Sequence, residues 1–245
     1  MEAPKSHPRK ASLDVRHRLT NGFKSGLVAE AGLIAHGRGE CFDYLLGEKT
    51  CLQAAWAEKA AAAALLLAEK PVISVNGNAA ALVPKELVEL AEATGARLEV
   101  NLFYRTRKRE RRIAAALRKA GAKKVYGLTK RHRIPGLGSE RANVDDALWE
   151  ADIVLILLED GDRTEALKRM GKKVIAVDLN PLSRTAQKAD VTIVDNVVRA
   201  VPSMIKHARR MKGRDKKHLR IIVDGFDNRK NLRGMEELMR KNRLS

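Results

Sequence analysis

The chain has 245 residues, 44% hydrophobic and 32% charged, so it can bury a large core and is too apolar to be a disordered protein. No apolar run reaches the roughly 18 residues that cross a bilayer, and the N-terminus lacks a signal-peptide stretch, which predicts a cytoplasmic protein. The formal net charge of +18 indicates either a heavily charged surface or a polyanionic partner, nucleic acid or phosphorylated small molecules.

Residues 1–70 are predicted to form a helical region packed on the core. Thr50 and Gln53 have the spacing of a capping box, and the alanine-rich helix that follows must end before Pro71. Cys41 and Cys51 are too few and too isolated for a disulfide framework or a metal site. We expect both to be buried free thiols.

Short apolar runs alternate with helical segments between residues 71 and 205. This alternation predicts right-handed βαβ crossovers and an α/β fold, with a Rossmann-like, doubly wound, mostly parallel sheet. Such sheets bind ligands at the carboxyl ends of their strands, near the point where the strand order reverses. The predicted strands cover residues 72–75, 97–103, 124–127, 153–158, 174–178 and 191–195.

Residues 206–245 are predicted to be a basic, helical C-terminal extension of the same structural unit. They contain 14 Lys or Arg and 5 Asp or Glu, a surplus of 14 − 5 = 9 positive charges, which is half the net charge. The helical pattern is interrupted at residues 221–225, and residues 219–223 are a candidate short strand.

Two common nucleotide motifs are disfavoured. After the first predicted strand, Gly77 stands alone where a dinucleotide-binding fingerprint has three glycines, which weakens a nucleotide-dependent oxidoreductase. A P-loop is disfavoured because Glu48 separates Gly47 from Lys49 and no strand precedes them.

Polar groups at the ends of the later strands suit a different nucleotide site. Asp178 can accept hydrogen bonds from ribose hydroxyls, and Arg184 offers a two-pronged donor for phosphate. Asn180 and Ser183 are equally typical of an ordinary turn and helix cap. Asn196 is a candidate to read an adenine edge or to cap the next helix.

Three carboxylates, those of Glu159, Asp160 and Asp162, follow the fourth predicted strand. They repel one another unless a cation is near, so Mg²⁺ or a substrate ammonium group would explain them, as would solvent exposure beside Arg163. The segment 76–78 presents amides to an anion or forms a tight turn.

Together with others, these segments resemble the archaeal phosphopantothenate synthetases, a family of 4-phosphopantoate–β-alanine ligases. The resemblance covers roughly residues 4–201 and is loose over the last 40 residues. The matching runs are His7–Arg9 with Ser12, Leu13 and Arg16; Gly32–Glu40 with Phe42–Leu45; Ser74–Asn78; Asn101–Thr106; Ile134–Leu137; Leu158–Leu167; Asp178–Thr185; and Ile193–Asn196.

The resemblance implies a homodimer of Rossmann-like subunits that uses ATP and Mg²⁺ to join 4-phosphopantoate to β-alanine in coenzyme A biosynthesis. The expected route is an acyl-adenylate, with release of pyrophosphate and AMP. The implied ATP contacts are Arg16, Arg38, Asp178, Leu179, Asn180, Arg184, Thr185, Asn196 and Val197. Candidate catalytic residues are Arg16, Arg38 and Asp160, candidate substrate contacts are Asn76, Gly77 and Asn78, and candidate Mg²⁺ ligands are Glu159, Asp160 and Asp162.

The alternative is a basic α/β nucleic-acid-binding protein. Aromatic residues make up only 4% of the chain, so bases would find few stacking partners. Acids at three strand ends would also repel a phosphodiester backbone. We therefore expect neither a nucleic-acid nor a membrane partner.

Overall fold

The computed structural model describes residues 4, 6, 7 and 9–241. Three helices precede the first strand: α1 (Lys10–Lys24), α2 (Glu30–Leu45) and α3 (Leu52–Leu67). Alanines dominate α3, whose buried face packs into the core, and the chain leaves the helix shortly before Pro71 as predicted. Within the described residues, no helix combines the length and apolarity that a bilayer crossing requires.

A five-stranded parallel sheet forms the centre of the α/β fold. In spatial order its strands are β2 (Arg97–Val100), β1 (Pro71–Val75), β5 (Ile153–Leu157), β6 (Lys173–Val177) and β7 (Val191–Ile193). The chain builds outward from β1 to β2 on one side and from β5 to β7 on the other. The strand order therefore reverses between β1 and β5, where the loops diverge and leave room for a ligand.

Side chains alternate between the two faces of this sheet. Ile73, Leu155 and Ile175 pack with α3 and with α4 (Gly77–Leu82), α5 (Pro84–Thr94), α6 (Arg107–Lys119) and α10 (Val197–Met211). Val72 and Val154 pack against α7 (Asp146–Glu150) and α8 (Gly161–Arg169) on the other face. That face also holds a small antiparallel pair, β3 (His132–Arg133) and β4 (Asn143–Val144). Both faces are covered, which explains the continuous apolar strands.

The prediction of a strand at residues 124–127 is wrong. Tyr126 alone bridges Glu99, with its amide donating to Leu98 and its carbonyl accepting from Val100. Gly127 then turns away with φ +95°, and a Cβ there would lie 2.3 Å from the Val100 carbonyl oxygen. The close approach of the two backbones ends the pairing after one residue.

The candidate strand at residues 219–223 is also wrong, because this segment belongs to α11 (Lys216–Asp224). Asp215 caps the helix by accepting from the His218 amide at 2.6 Å. Leu219 and Ile222, three residues apart, then share one buried face against α3. The last helix, α12 (Asn228–Lys241), buries Met235 beside the loop after β6.

Two local predictions near α3 need correction. Thr50 does not cap the helix; its hydroxyl donates to Asp195 at 2.6 Å, and the Cys51 sulfur accepts from the Ala54 amide instead. Both cysteines are free thiols, but Cys41 is exposed on α2 and Cys51 is only half-buried. The prediction that they are buried is therefore wrong for Cys41.

Candidate functional site

A cavity of about 690 Å³ lies over the carboxyl ends of β1, β5 and β6, at the reversal of the strand order. Residues of α2 line it from the N-terminal region, so that helix covers the sheet edge. The cavity brings together most of the residues predicted from sequence: Arg38, Asn76, Gly77, Asn78, Glu159, Asp160, Asp178, Leu179, Asn180, Arg184 and Thr185.

At the β6 end of the cavity, Asp178 organises the loop that follows the strand. Its carboxylate accepts from the Asn180 amide at 3.0 Å and from the Ser183 hydroxyl, and burial raises the pKa of Asp178. Ser183 in turn caps α9 (Arg184–Lys188) by accepting from the Ala186 amide at 2.9 Å. The turn interpretation is therefore correct. A carboxylate has about four acceptor positions, so Asp178 can still accept from a ligand.

At the centre, the ends of β1 and β5 are joined through Asn76. Its side-chain amide donates to the Leu157 carbonyl at 2.6 Å, and its oxygen accepts from the Ala79 amide at 3.0 Å, which caps α4. Leu158 has φ +54°, an uncommon conformation for a leucine, and turns the chain out of β5 toward the cavity. The Asn76 side chain is thus used within the protein.

Asn78 and Gly77 connect α4 to the N-terminal region. The Asn78 side-chain amide donates to the Gly32 carbonyl on α2 at 2.9 Å. A Cβ on Gly77 would lie 2.2 Å from the Leu27 carbonyl oxygen, so only glycine permits this approach. The segment predicted to contact substrate therefore also positions α2.

Arginines offset the charge of the three acids after β5. Glu159, whose side chain is 6% exposed, lies 3.5 Å from Arg163, and burial raises the pKa of Glu159 to about 7. Arg141 contacts Asp160 at 3.4 Å and Asp162 at 2.8 Å. Within the described part of the chain, no three His, Cys, Asp or Glu converge as a metal site. One acceptor stays free: Asp160 Oδ2 is buried without a hydrogen-bond partner.

Four predicted site residues lie outside the cavity lining. Arg16 on α1 pairs with Glu40 at 3.0 Å. Asp162 is half-exposed and pairs with Arg184 at 2.6 Å. Asn196 caps α10 and donates to Asp43 at 2.9 Å, while Val197 is buried in the core.

The cavity also contains His36 and Arg109, which are not among the candidate site residues predicted from sequence. His36 Nε2 and Arg109 Nε are buried without hydrogen-bond partners, and burial lowers the pKa of both side chains. Arg109 stands within a run of basic residues that suggests an exposed helix surface. The sequence contains a signal that Arg109 faces inward. It precedes the apolar Ile113 by four residues, which puts both on the same side of α6.

Comparisons with known proteins agree on one family. The sequence model of the phosphopantothenate/pantothenate synthetase family matches residues 53–242. A protein of Thermococcus kodakarensis named 4-phosphopantoate–beta-alanine ligase is 58% identical over 94% of this chain and 88% of its own length. A protein of Methanosarcina mazei with the same name is 48% identical over 94% of this chain and 91% of its own length.

Proposed function

This chain belongs to the phosphopantothenate/pantothenate synthetase family, and we propose that it joins 4-phosphopantoate to β-alanine at the expense of ATP, in coenzyme A biosynthesis. The observation that carries the proposal is the cavity at the strand-order reversal, whose wall includes Arg38, Arg109 and Arg184. ATP, the phosphorylated acid and the transition state between them are anionic, so cationic walls favour this reaction.

ATP occupies the β6 end of the cavity in this proposal, as in a Rossmann-like nucleotide site. Asp178 accepts from the ribose, Leu179, Asn180 and Thr185 line its surroundings, and Arg184 binds a phosphate. Arg184 is 63% exposed and its pair with Asp162 is solvated, so a phosphate can replace that carboxylate at little cost. Arg38 adds a second cation from α2.

We also propose a cytoplasmic homodimer. The other expected nucleotide contacts lie beyond the cavity lining: Arg16, Asn196 and Val197. They would contact ATP only if the nucleotide extends past this cavity or if the site is formed by two subunits together. Ile34 on α2 is 69% exposed and Leu182 after β6 is 59% exposed. Removal of such apolar side chains from water at a subunit interface would be favourable.

The proposed reaction has two steps. A carboxylate oxygen of 4-phosphopantoate attacks the α-phosphorus of ATP, the bond to the β-phosphate breaks, and pyrophosphate leaves with the electron pair. The neutral β-alanine amine then attacks the acyl carbon, AMP leaves, and the excess amine proton passes to solvent. Arg38 and Arg184 stabilise the charge on the reacting phosphate, and Arg16 joins them if the nucleotide reaches it.

Mg²⁺ suits the centre of the cavity because Asp160 Oδ2 is buried there with no partner. Protein-bound Mg²⁺ is commonly held by one or two carboxylates together with substrate phosphates. Asp160 would hold the ion with Glu159 beside it, and Asp162 would contribute only after leaving its arginine partners. Bound Mg²⁺ supplies neutralisation of the triphosphate charge.

The test is incubation with ATP, Mg²⁺, 4-phosphopantoate and β-alanine, with the nucleotide products resolved by chromatography. We expect amide product and one AMP per amide, because the proposed leaving group of the second step is AMP. ADP in place of AMP would contradict the acyl-adenylate and indicate an acyl-phosphate. Absence of amide product would refute the function itself.

A further inference from the structure

Arg109 lies in the first turn of α6, at the β1 end of the cavity. Its Nη2 donates to the Leu27 carbonyl at 3.1 Å, and its Nη1 donates to the Tyr104 carbonyl. A Cβ on Gly77 would lie 3.0 Å from Nη2, so the guanidinium is close to the segment predicted to contact substrate. Two carbonyls from separate loops thus hold the guanidinium in a defined position.

The charge of Arg109 is not balanced within the protein. Among the described residues no carboxylate lies within ion-pair distance of it, whereas Arg16 pairs with Glu40, Arg141 with Asp160 and Arg184 with Asp162. Arg109 Nε is also buried without a partner. A half-buried guanidinium with no counter-ion is costly, so an anion bound in this part of the cavity would relieve that cost.

The location identifies which anion. The segment after β1 and the loop of Asp178 after β6 are two strand spacings apart, about 10 Å. ATP at the β6 end therefore leaves the Arg109 end for the other substrate. In 4-phosphopantoate the phosphate and the reacting carboxylate stand at opposite ends of the molecule. With its phosphate at Arg109, the acid points its carboxylate toward β5 and β6, where the α-phosphate of ATP is expected.

We infer that Arg109 binds the phosphate of 4-phosphopantoate and so makes the enzyme specific for the phosphorylated acid over pantoate. This inference rests on the proposed function. The carbonyl contacts of Nη1 and Nη2 fix the guanidinium, and the unpartnered Nε supplies a charge-assisted hydrogen bond to a phosphate oxygen.

The experiment compares Arg109→Met with Arg111→Met, a matched loss of one charge at an exposed position of the same helix. We expect Arg109→Met to raise the KM for 4-phosphopantoate by about 10- to 100-fold, the usual value of a hydrogen bond to a charged group. The KM for ATP should stay within about 2-fold of the wild-type value, because a 2-fold change corresponds to far less free energy than such a hydrogen bond. Arg111→Met should behave as the wild type. Arg109→Lys, which keeps the charge but loses the fork, should give an intermediate KM.

Direct binding separates the possible failures. Titration calorimetry with 4-phosphopantoate alone should give a dissociation constant that rises in Arg109→Met, while pantoate binds both proteins equally weakly. An unchanged constant for 4-phosphopantoate, or an equal loss of ATP and acid binding, overturns the assignment of Arg109. If the wild type binds 4-phosphopantoate more tightly than Arg109→Met does but makes no amide, the proposed function is refuted and the assignment of Arg109 is still supported.

Discussion

At the scale of single residues, Gly77 leaves the least room for a side chain among the glycines that line the cavity. It begins α4, directly after the cap Asn76, and faces the chain between α1 and α2. A side chain here would meet the Leu27 carbonyl oxygen at 2.2 Å, and that backbone atom cannot swing aside as a flexible side chain would. The position therefore requires glycine for space rather than for conformation.

We expect Gly77→Ala to lower the free energy of unfolding by about 1–3 kcal/mol, the usual cost of overpacking. It should also weaken binding of 4-phosphopantoate, because Arg109 Nη2 lies within 3.0 Å of the new Cβ. Denaturant unfolding and calorimetry measure the two effects. Gly138→Ala is the control, since its Cβ meets no atom within 4 Å. Equal stability of the two variants would show that the backbone near Leu27 yields easily.

At the scale of elements, an ion-pair cluster fixes α2 over the sheet. Arg199 on α10 donates to Asp43 on α2 and to Asp195 after β7. Both acids are buried, at 3% and 1% exposure, and Asn196 and Thr50 add hydrogen bonds to them. Because α2 also carries Arg38, this cluster determines where that cation stands above the cavity.

Arg199→Met should therefore cost about 3–5 kcal/mol in the free energy of unfolding, since it leaves two buried carboxylates without a counter-charge. The KM for ATP should rise as α2 loosens. Arg209→Met on the same helix breaks a pair with Glu89 in which Arg209 is 61% exposed, and should cost no more than about 1 kcal/mol. Urea titration of both variants checks the contrast, and similar losses would contradict it.

At the scale of the whole molecule, three buried glutamates affect stability. Burial raises the pKa of Glu58 to about 8 and the pKa values of Glu99 and Glu159 to about 7, from an ordinary 4.5. Between pH 4.5 and these raised pKa values, the folded protein holds more protons than the unfolded chain does. Its stability therefore falls as the pH rises through this range. The contribution is fully present below about pH 4.5 and is lost as pH rises through 7 and 8.

Glu58→Gln should flatten the dependence of stability on pH, because glutamine stays neutral beside Asp195. It also keeps an acceptor for the Ser203 hydroxyl, which donates to Glu58 in the wild type. We expect the melting temperature of the variant, relative to wild type, to increase as the pH is raised from 5 to 8. Glu92→Gln, at an exposed position of α5, should leave the pH profile unchanged. Parallel profiles for wild type and Glu58→Gln would contradict the assignment to Glu58.

The periodicity of apolar residues predicted most of the fold, but it failed where contacts between distant segments determine the local structure. The apolar runs at β1, β5 and β6 are long enough to identify buried parallel strands. Val125 and Tyr126 have the same local preference, yet the backbone contact of Gly127 with Val100 limits them to one bridge. Thr50 likewise matched a capping motif, but a buried acid 145 residues away takes its hydroxyl.

The residues at the strand ends could be predicted from the amino-acid order, because strand alternation and a polar group after each strand are local patterns. The family was indicated by the resemblance of whole sequence segments. The tertiary structure determined which of those strand-end residues have their charge balanced by a neighbouring side chain. Arginines 141 and 163 offset the acids after β5, whereas the half-buried Arg109 has no carboxylate within ion-pair distance among the described residues. Charge balance depends on distances between segments far apart in the chain, and only folding sets those distances.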